Sequence, residues 1–152
     1  MKVEGKVVPG YGVASGKSND PRYMGGTIRL QVPYFKERGL DLSNFHMGTI
    51  NVDISPFSFD IKQPKHYLEK IAWSEHIGPE SFYFFDVHLT FLNANYEGLV
   101  YMPDPAAKEE HHQKPTVLEL LLPKVDGLEY DALVMIALQD EQLELRKLSS
   151  LE

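Results

Sequence analysis

Short β-type segments, each closed by Gly, Pro, Asn or Asp, recur along the whole chain and leave little room for long helices. They cover residues 5–8, 27–32, 48–54, 57–61, 82–92, 98–101, 117–122 and 132–138. Two of them say how they sit in a fold. Asn51-Val52-Asp53-Ile54 alternates polar and apolar residues, as a strand with one wet and one dry face does. The stretch from Phe82 to Leu92 begins as an aromatic run and then alternates, which predicts a central strand crossing the core. Helical signals are few. Residues 33–38 read as one short helix, with Pro33 near its start and Gly39 at its end. Residues 139–147 fit a last strand or a short helix. The expected fold class is therefore mainly β, a small closed β-barrel with extra strands or loops and one or two short helices.

The chain has 152 residues, enough for one domain with a substantial core, and no repeat or low-complexity tract suggests a second. Residues 1–150 are read as that domain, and Leu151-Glu152 as a cloning scar. With 43% hydrophobic and 24% charged residues, the composition is that of a soluble globular protein. A net charge of −7 argues against nucleic-acid binding, which relies on clustered Lys and Arg. Cysteine is absent, so disulfides, thiolate nucleophiles and Cys-based zinc sites are excluded, and a reducing, cytoplasmic setting fits. The N-terminal residues lack the run of about 7–15 apolar residues of a signal peptide. No stretch reaches the roughly 20 apolar residues of a membrane span, so no membrane partner is expected.

Candidate chemistry starts at Gly48-Thr49-Ile50-Asn51-Val52. Thr49 and Asn51 lie two residues apart in a predicted strand, so their oxygens share one face. Magnesium takes hard oxygen ligands and commonly completes its shell with water and substrate phosphates, so the pair fits half of a magnesium site; the bland reading is a polar pair at the end of a turn. The segment Gly10, Tyr11, Gly12, Val13, Ala14 and Ser15 reads as a glycine-rich loop whose amides can hold phosphate, with Lys6, Lys17 or Arg22 adding charge, or as an ordinary hairpin turn. It is not a Walker A loop, because the residue five places before Gly16 is Tyr11. Glu119 falls in the apolar run Val117-Leu118-Glu119-Leu120-Leu121-Leu122, where its carboxylate must reach solvent or bind something.

In order along the chain, Gly5-Lys6-Val7, Gly10-Tyr11-Gly12, Gly48-Thr49-Ile50-Asn51 and Glu119-Leu120-Leu121-Leu122-Pro123 resemble the pattern of the archaeal CTP-dependent riboflavin kinases. The resemblance spans most of the chain. It implies a six-stranded cradle-loop barrel and a magnesium-dependent phosphotransferase with CTP as donor. It also implies Thr49 and Asn51 on Mg2+, residues Gly10 to Ser15 on the nucleotide, Glu119 as the catalytic-site residue facing a flavin, and Lys124, Val125, Asp126 and Gly127 near the nucleotide base. The loop after Val13 and the stretch between Asn51 and Tyr96 are longer than the family's, which leaves the acceptor open. The partners expected are thus a nucleotide and a flavin.

Two other functional classes stay open: a non-kinase barrel that binds a small anionic ligand, and an interaction protein. Rival chemistry rests on Asp86 and His88 on one strand face, with His111 and His112 on a polar loop over 103–115, as a His/carboxylate metal site. His46, His66 and His76 read as surface residues. Trp73, Tyr96 and Tyr101 read as core aromatics or as stacking platforms for a flat ring.

Overall fold

The computed structural model of the chain describes residues 1–9, 27–104 and 115–149. Its elements are β1 (Lys2–Val8), α1 (Thr27–Glu37), β2 (Ile50–Asp53), β3 (Phe57–Ile61), β4 (His66–Ile71), β5 (Glu80–Phe91), β6 (Ala94–Pro103), β7 (Val117–Leu121), β8 (Leu133–Leu138) and β9 (Leu143–Lys147). The protein is mainly β. One sheet has the order β4-β5-β6-β7-β2-β1-β8, and β8 also pairs with β5, so six strands follow one another in a ring. All of its pairings are antiparallel. β3 and β9 form a separate two-stranded sheet. No helix of the described residues is long and apolar enough to cross a membrane.

The run from Phe82 is the central strand its pattern predicts. One edge of β5 pairs with β6 over its length; the other edge is shared, with β4 along Glu80–Phe84 and β8 along Val87–Thr90. Alternation then sorts its side chains. Phe85, Val87 and Leu89 join Val3, Val7, Val52, Val100, Leu118, Leu120, Val134 and Ile136 in the core inside the ring. Leu143 and Leu145 of β9, with Phe57 and Phe59 of β3, pack against the same core. Phe82 and Phe84 face the other way, joining Leu99, Tyr101 and Leu121 in a second cluster on the outer surface.

That outer cluster is covered by α1, which corrects the strand expected over residues 27–32. Ile28, Gln31, Val32 and Phe35 follow helical spacing, and Ile28, Gln31 and Phe35 are buried. The β-branched Ile28 and Val32 read locally as strand, but packing of this face overrides the propensity. Even Pro33, which removes an amide donor, is accommodated inside the helix. The stop at Gly39 holds as expected. Gly39 has φ +95°, its N–H donates to the Lys36 carbonyl at 3.0 Å, and the Leu40 N–H donates to the Phe35 carbonyl at 3.0 Å. This is the Schellman pattern, with Phe35 and Leu40 in one apolar cluster. Of the two alternatives for residues 139–147 the strand is the one formed, over 143–147, and one strand, β4, has no counterpart among the predicted segments.

Candidate functional site

The turn that delivers Thr49 to β2 is pinned to β7: the His46 N–H donates to the Leu122 carbonyl at 2.9 Å and the Gly48 N–H to the His46 carbonyl at 2.9 Å. At the other end, β2 closes where the Ser55 N–H and hydroxyl donate to one Asp53 carboxylate oxygen at 2.9 and 2.6 Å. Between these ties Val52 points into the ring core, so Asn51 and Asp53 point outward. Across the pair, Leu118 and Leu120 of β7 point inward and Glu119 outward. The register then sets Asn51 directly opposite Glu119, and Val8 of β1 on its other side. Two residues far apart in sequence, each singled out for its chemistry, are cross-strand neighbours.

Both side chains are half-buried, and Thr49, just before β2, is half-buried too. Glu119 thus escapes the core that its apolar neighbours fill, because a strand reverses face at every residue. Next along the outer face, Leu99 of β6 pairs with Leu121 of β7; one same-face step along each strand brings Tyr101 and Glu119. Burial pushes the Tyr101 phenol well above its ordinary range, and the nearby Glu119 and Glu80 carboxylates push it the same way. Tyr101 is therefore a neutral hydroxyl, and it donates to the Gln31 side-chain carbonyl at 2.7 Å.

Other candidates separate. Gly10 to Ser15, Lys17, Arg22, His111 and His112 lie outside the described residues. Lys124, Val125, Asp126 and Gly127 occupy the connection from β7 to β8; Lys124, Asp126 and Gly127 are exposed, Val125 packs against the ring core, and Gly127 turns the chain at φ +77°. The Leu122–His46 bond puts the start of this connection at the Thr49 end of β2. Exposed Lys6 sits 3.9 Å from the Asp131 carboxylate. Trp73 is a core residue, its indole N–H donating to buried Glu80 at 3.0 Å. Tyr101 belongs to the outer cluster and Tyr96 packs against the ring core.

Asp86 and His88 share a face but are held apart by different partners. Gln142 clamps Asp86, accepting from its backbone N–H at 2.7 Å and donating to its carboxylate at 2.8 Å, while Lys65 stands 3.4 Å away. His88 pairs through Nδ1 with Glu97, and its Nε2 lies 3.1 Å from Asn95 Oδ1. Among the described residues no three His, Cys, Asp or Glu side chains gather in a group that could hold a metal.

The two strand histidines shift in opposite directions. The hydrogen bonds to Glu97 and then Asn95 raise His88, whereas burial and then Lys65 lower His66, partly offset by Asp86. A raised folded value means that His88 stabilises the fold fully below the unfolded imidazole range near 6.5 and loses that contribution as pH rises through its folded value. A lowered value means that His66 costs stability as pH falls below that range. An NMR titration is expected to show His88 deprotonating at higher pH than His66, with Glu97→Gln bringing His88 down and leaving His66 in place. Equal midpoints for the two rings contradict this.

The molecule is thus a mainly β protein with a partly ring-like sheet, bearing on its outer face a polar row of Asn51, Glu119 and Tyr101, of which Tyr101 is bonded to Gln31 of α1. No protein-family model and no curated protein matches the chain.

Sequence reasoning missed Gln31 because it falls in the segment expected to be a strand. The signal was present as the i, i+4, i+7 spacing of Ile28, Val32 and Phe35, with Gln31 on the same face.

Proposed function

We propose that the outer face of β2 and β7 binds a magnesium–nucleotide complex and that the protein is a phosphotransferase of the kind its motifs resemble, a CTP-dependent riboflavin kinase on a cradle-loop barrel working in the cytoplasm. The observation that carries this reading is the direct pairing of Asn51 with Glu119. The donor set fits the ion: a threonine hydroxyl, an asparagine amide oxygen and a carboxylate are hard oxygens of the sort magnesium accepts. Thr49 and Asn51 would hold it, and the ion supplies neutralisation of phosphate charge. The protein's own task is positioning. Glu119 accepts a hydrogen bond from the acceptor hydroxyl and aims its oxygen at the terminal phosphorus. A new O–P bond forms there as the hydroxyl proton is given up to solvent and the bond to the bridging oxygen breaks, releasing the nucleoside diphosphate.

Ligands that bind only the native state raise its apparent stability by mass action. In a thermal-shift panel with CTP, ATP, riboflavin and FMN, each with and without magnesium, CTP is expected to stabilise the wild type only when magnesium is present. Asn51→Ala should abolish that shift while keeping the unliganded Tm within a few degrees, as befits a half-buried residue. Retention of the shift in the variant removes Asn51 from the site. A ligand shift that needs no magnesium favours a non-kinase protein holding a small anion, and no shift with any compound favours an interaction protein.

A further inference from the structure

Where β5 meets β8, the outward side chains form a face that neither the β2–β7 site nor the covering helix uses. Register sets them in rows that cross four strands. One row is Glu97 of β6, His88 of β5, Ala137 of β8 and Lys2 of β1; the next is Asn95, Thr90, Met135 and Glu4. Two residues beyond the Thr90–Met135 pair come Leu92 at the β5–β6 turn and Leu133 on β8, and Leu133 pairs with Lys6 of β1. Leu92 is 78% exposed, Leu133 59% and Met135 39%, so three large apolar side chains of adjacent strands face water together. Single exposed apolar residues need no explanation, whereas neighbouring ones mark contact surfaces.

Leu92 is also costly where it stands. Leu92 and Asn93 have φ +49° and +65°, the two-residue hairpin turn that prefers Asn followed by Gly. A bulky side chain at positive φ is strained, and one so exposed gains little from its own chain in return.

The charges on the two borders of the face select its occupant. On the β6 border Glu97 holds His88 through one carboxylate oxygen while its side chain stays 79% exposed. On the β1 border Lys2 is exposed and has no acidic partner among the described residues. Two copies packed face to face about a two-fold axis parallel to the strands, along the β5–β8 seam, exchange the borders and keep the rows. Glu97 of each copy then meets Lys2 of the other, Asn95 meets Glu4, and Leu92 meets Leu133. An axis across the strands instead exchanges the rows and sets Lys2 against Lys6, like charge against like. A closed two-fold pair needs just such a patch, complementary to itself.

We propose that this chain self-associates through its β5–β8 face as a two-fold dimer, with Leu92 packed on Leu133 at one end and Glu97 paired with Lys2 at the other. The dimer does not depend on what β2 and β7 bind. Strands about 4.8 Å apart and same-face rows about 6.7 Å apart give a patch of roughly 400 Å2 on each copy. That is small for a specific interface, so the dimer is weak, with a Kd of about 10–100 μM.

Sedimentation velocity of the whole chain between about 1 and 500 μM reads the association, and the wild type is expected to pass from monomer to dimer across that range. Lys2→Glu and Glu97→Lys each set like charges against each other at both ends of the exchange, and each should weaken association at least about tenfold. Both residues are exposed, so the Tm of either variant should stay within a few degrees of the wild type. Mixing the two variants restores opposite charges across the mixed pair, and dimers should return to within about threefold of the wild-type Kd. Leu92→Asn suits the turn better, so it should keep or raise the Tm of the dilute protein while weakening association at least about fivefold. A lowered Tm there means that the leucine serves its own chain, and this overturns the proposal. A wild type that stays monomeric at about 500 μM overturns it too and leaves the face to a different protein. Dimers that survive both charge reversals, or a mixture that stays monomeric, likewise overturn it.

Discussion

Phe35→Ala is expected to destabilise the protein by about 3–5 kcal/mol, a large part of the stability of an ordinary domain. Phe35 is fully buried, and its ring meets Phe82 and Phe84 edge-on, at centroid distances of 5.0 and 5.4 Å. Removing it opens a cavity and deletes two aromatic contacts, each worth about 0.5–1.5 kcal/mol beyond burial. The helix has little else to rely on. Eleven residues with an internal proline fall short of what holds a helix alone in water, so α1 exists because its apolar face docks. The Schellman closure shares the loss, since Leu40 packs in the same cluster as Phe35. Urea unfolding of the variant should show a strongly reduced midpoint, and the Gln31–Tyr101 bond should be lost with the helix. A midpoint within about 1 kcal/mol of the wild type means that α1 is held by something other than this ring.

Gly98→Ala should be nearly as damaging, at about 3 kcal/mol, the upper end for overpacking. A Cβ built on Gly98 falls 2.2 Å from the Leu121 carbonyl oxygen and 2.7 Å from Leu122 Cδ2. The first of these atoms is backbone and has no rotamer by which to move aside. β6 and β7 must then separate beside the Leu99–Leu121 and Val100–Leu120 pairs, where the ring passes from one strand to the next. The site feels the same strain, because β7 carries Glu119 to its place opposite Asn51. Gly39→Ala is the control. Its Cβ meets nothing within 4 Å, so only the positive φ is penalised, at about 1 kcal/mol. If the two variants lose equal stability, the crowding at Gly98 is not what decides its cost.

How far the chain could be read without its fold differs from element to element. Runs closed by Gly, Pro, Asn or Asp placed strands at β1, β2, β3, β5, β6, β7 and β8, and period-two alternation gave the facing of β2 and β5, since a strand with one dry face writes that face into every second residue. The pattern failed at α1, where Ile28 and Val32 carry strand propensity and Pro33 looks like a helix start, yet the segment is helical because Phe82 and Phe84 offer a surface that only a helical face of Ile28, Gln31 and Phe35 fills. β4 escaped notice because His66-Tyr67-Leu68-Glu69-Lys70-Ile71 mixes charge into an edge strand and carries an irregular register at Lys70, whose φ is +51°. Asn51 and Glu119 were each visible as polar residues in apolar strands; their pairing was not, because register belongs to two strands at once.

Residue order by itself determined the β-rich class, the long central strand, the stop at Gly39 and the polar identity of Thr49, Asn51 and Glu119, since each depends on local alternation, backbone freedom or side-chain chemistry. Tertiary structure alone decided that residues 27–37 coil into a helix, that β5 divides one edge between β4 and β8, and that Gln31, Tyr101, Glu119 and Asn51 gather on one outer face. The physical reason is the same in each case: these outcomes depend on which distant apolar surface is available to be covered, and no window of sequence contains both sides of such a contact.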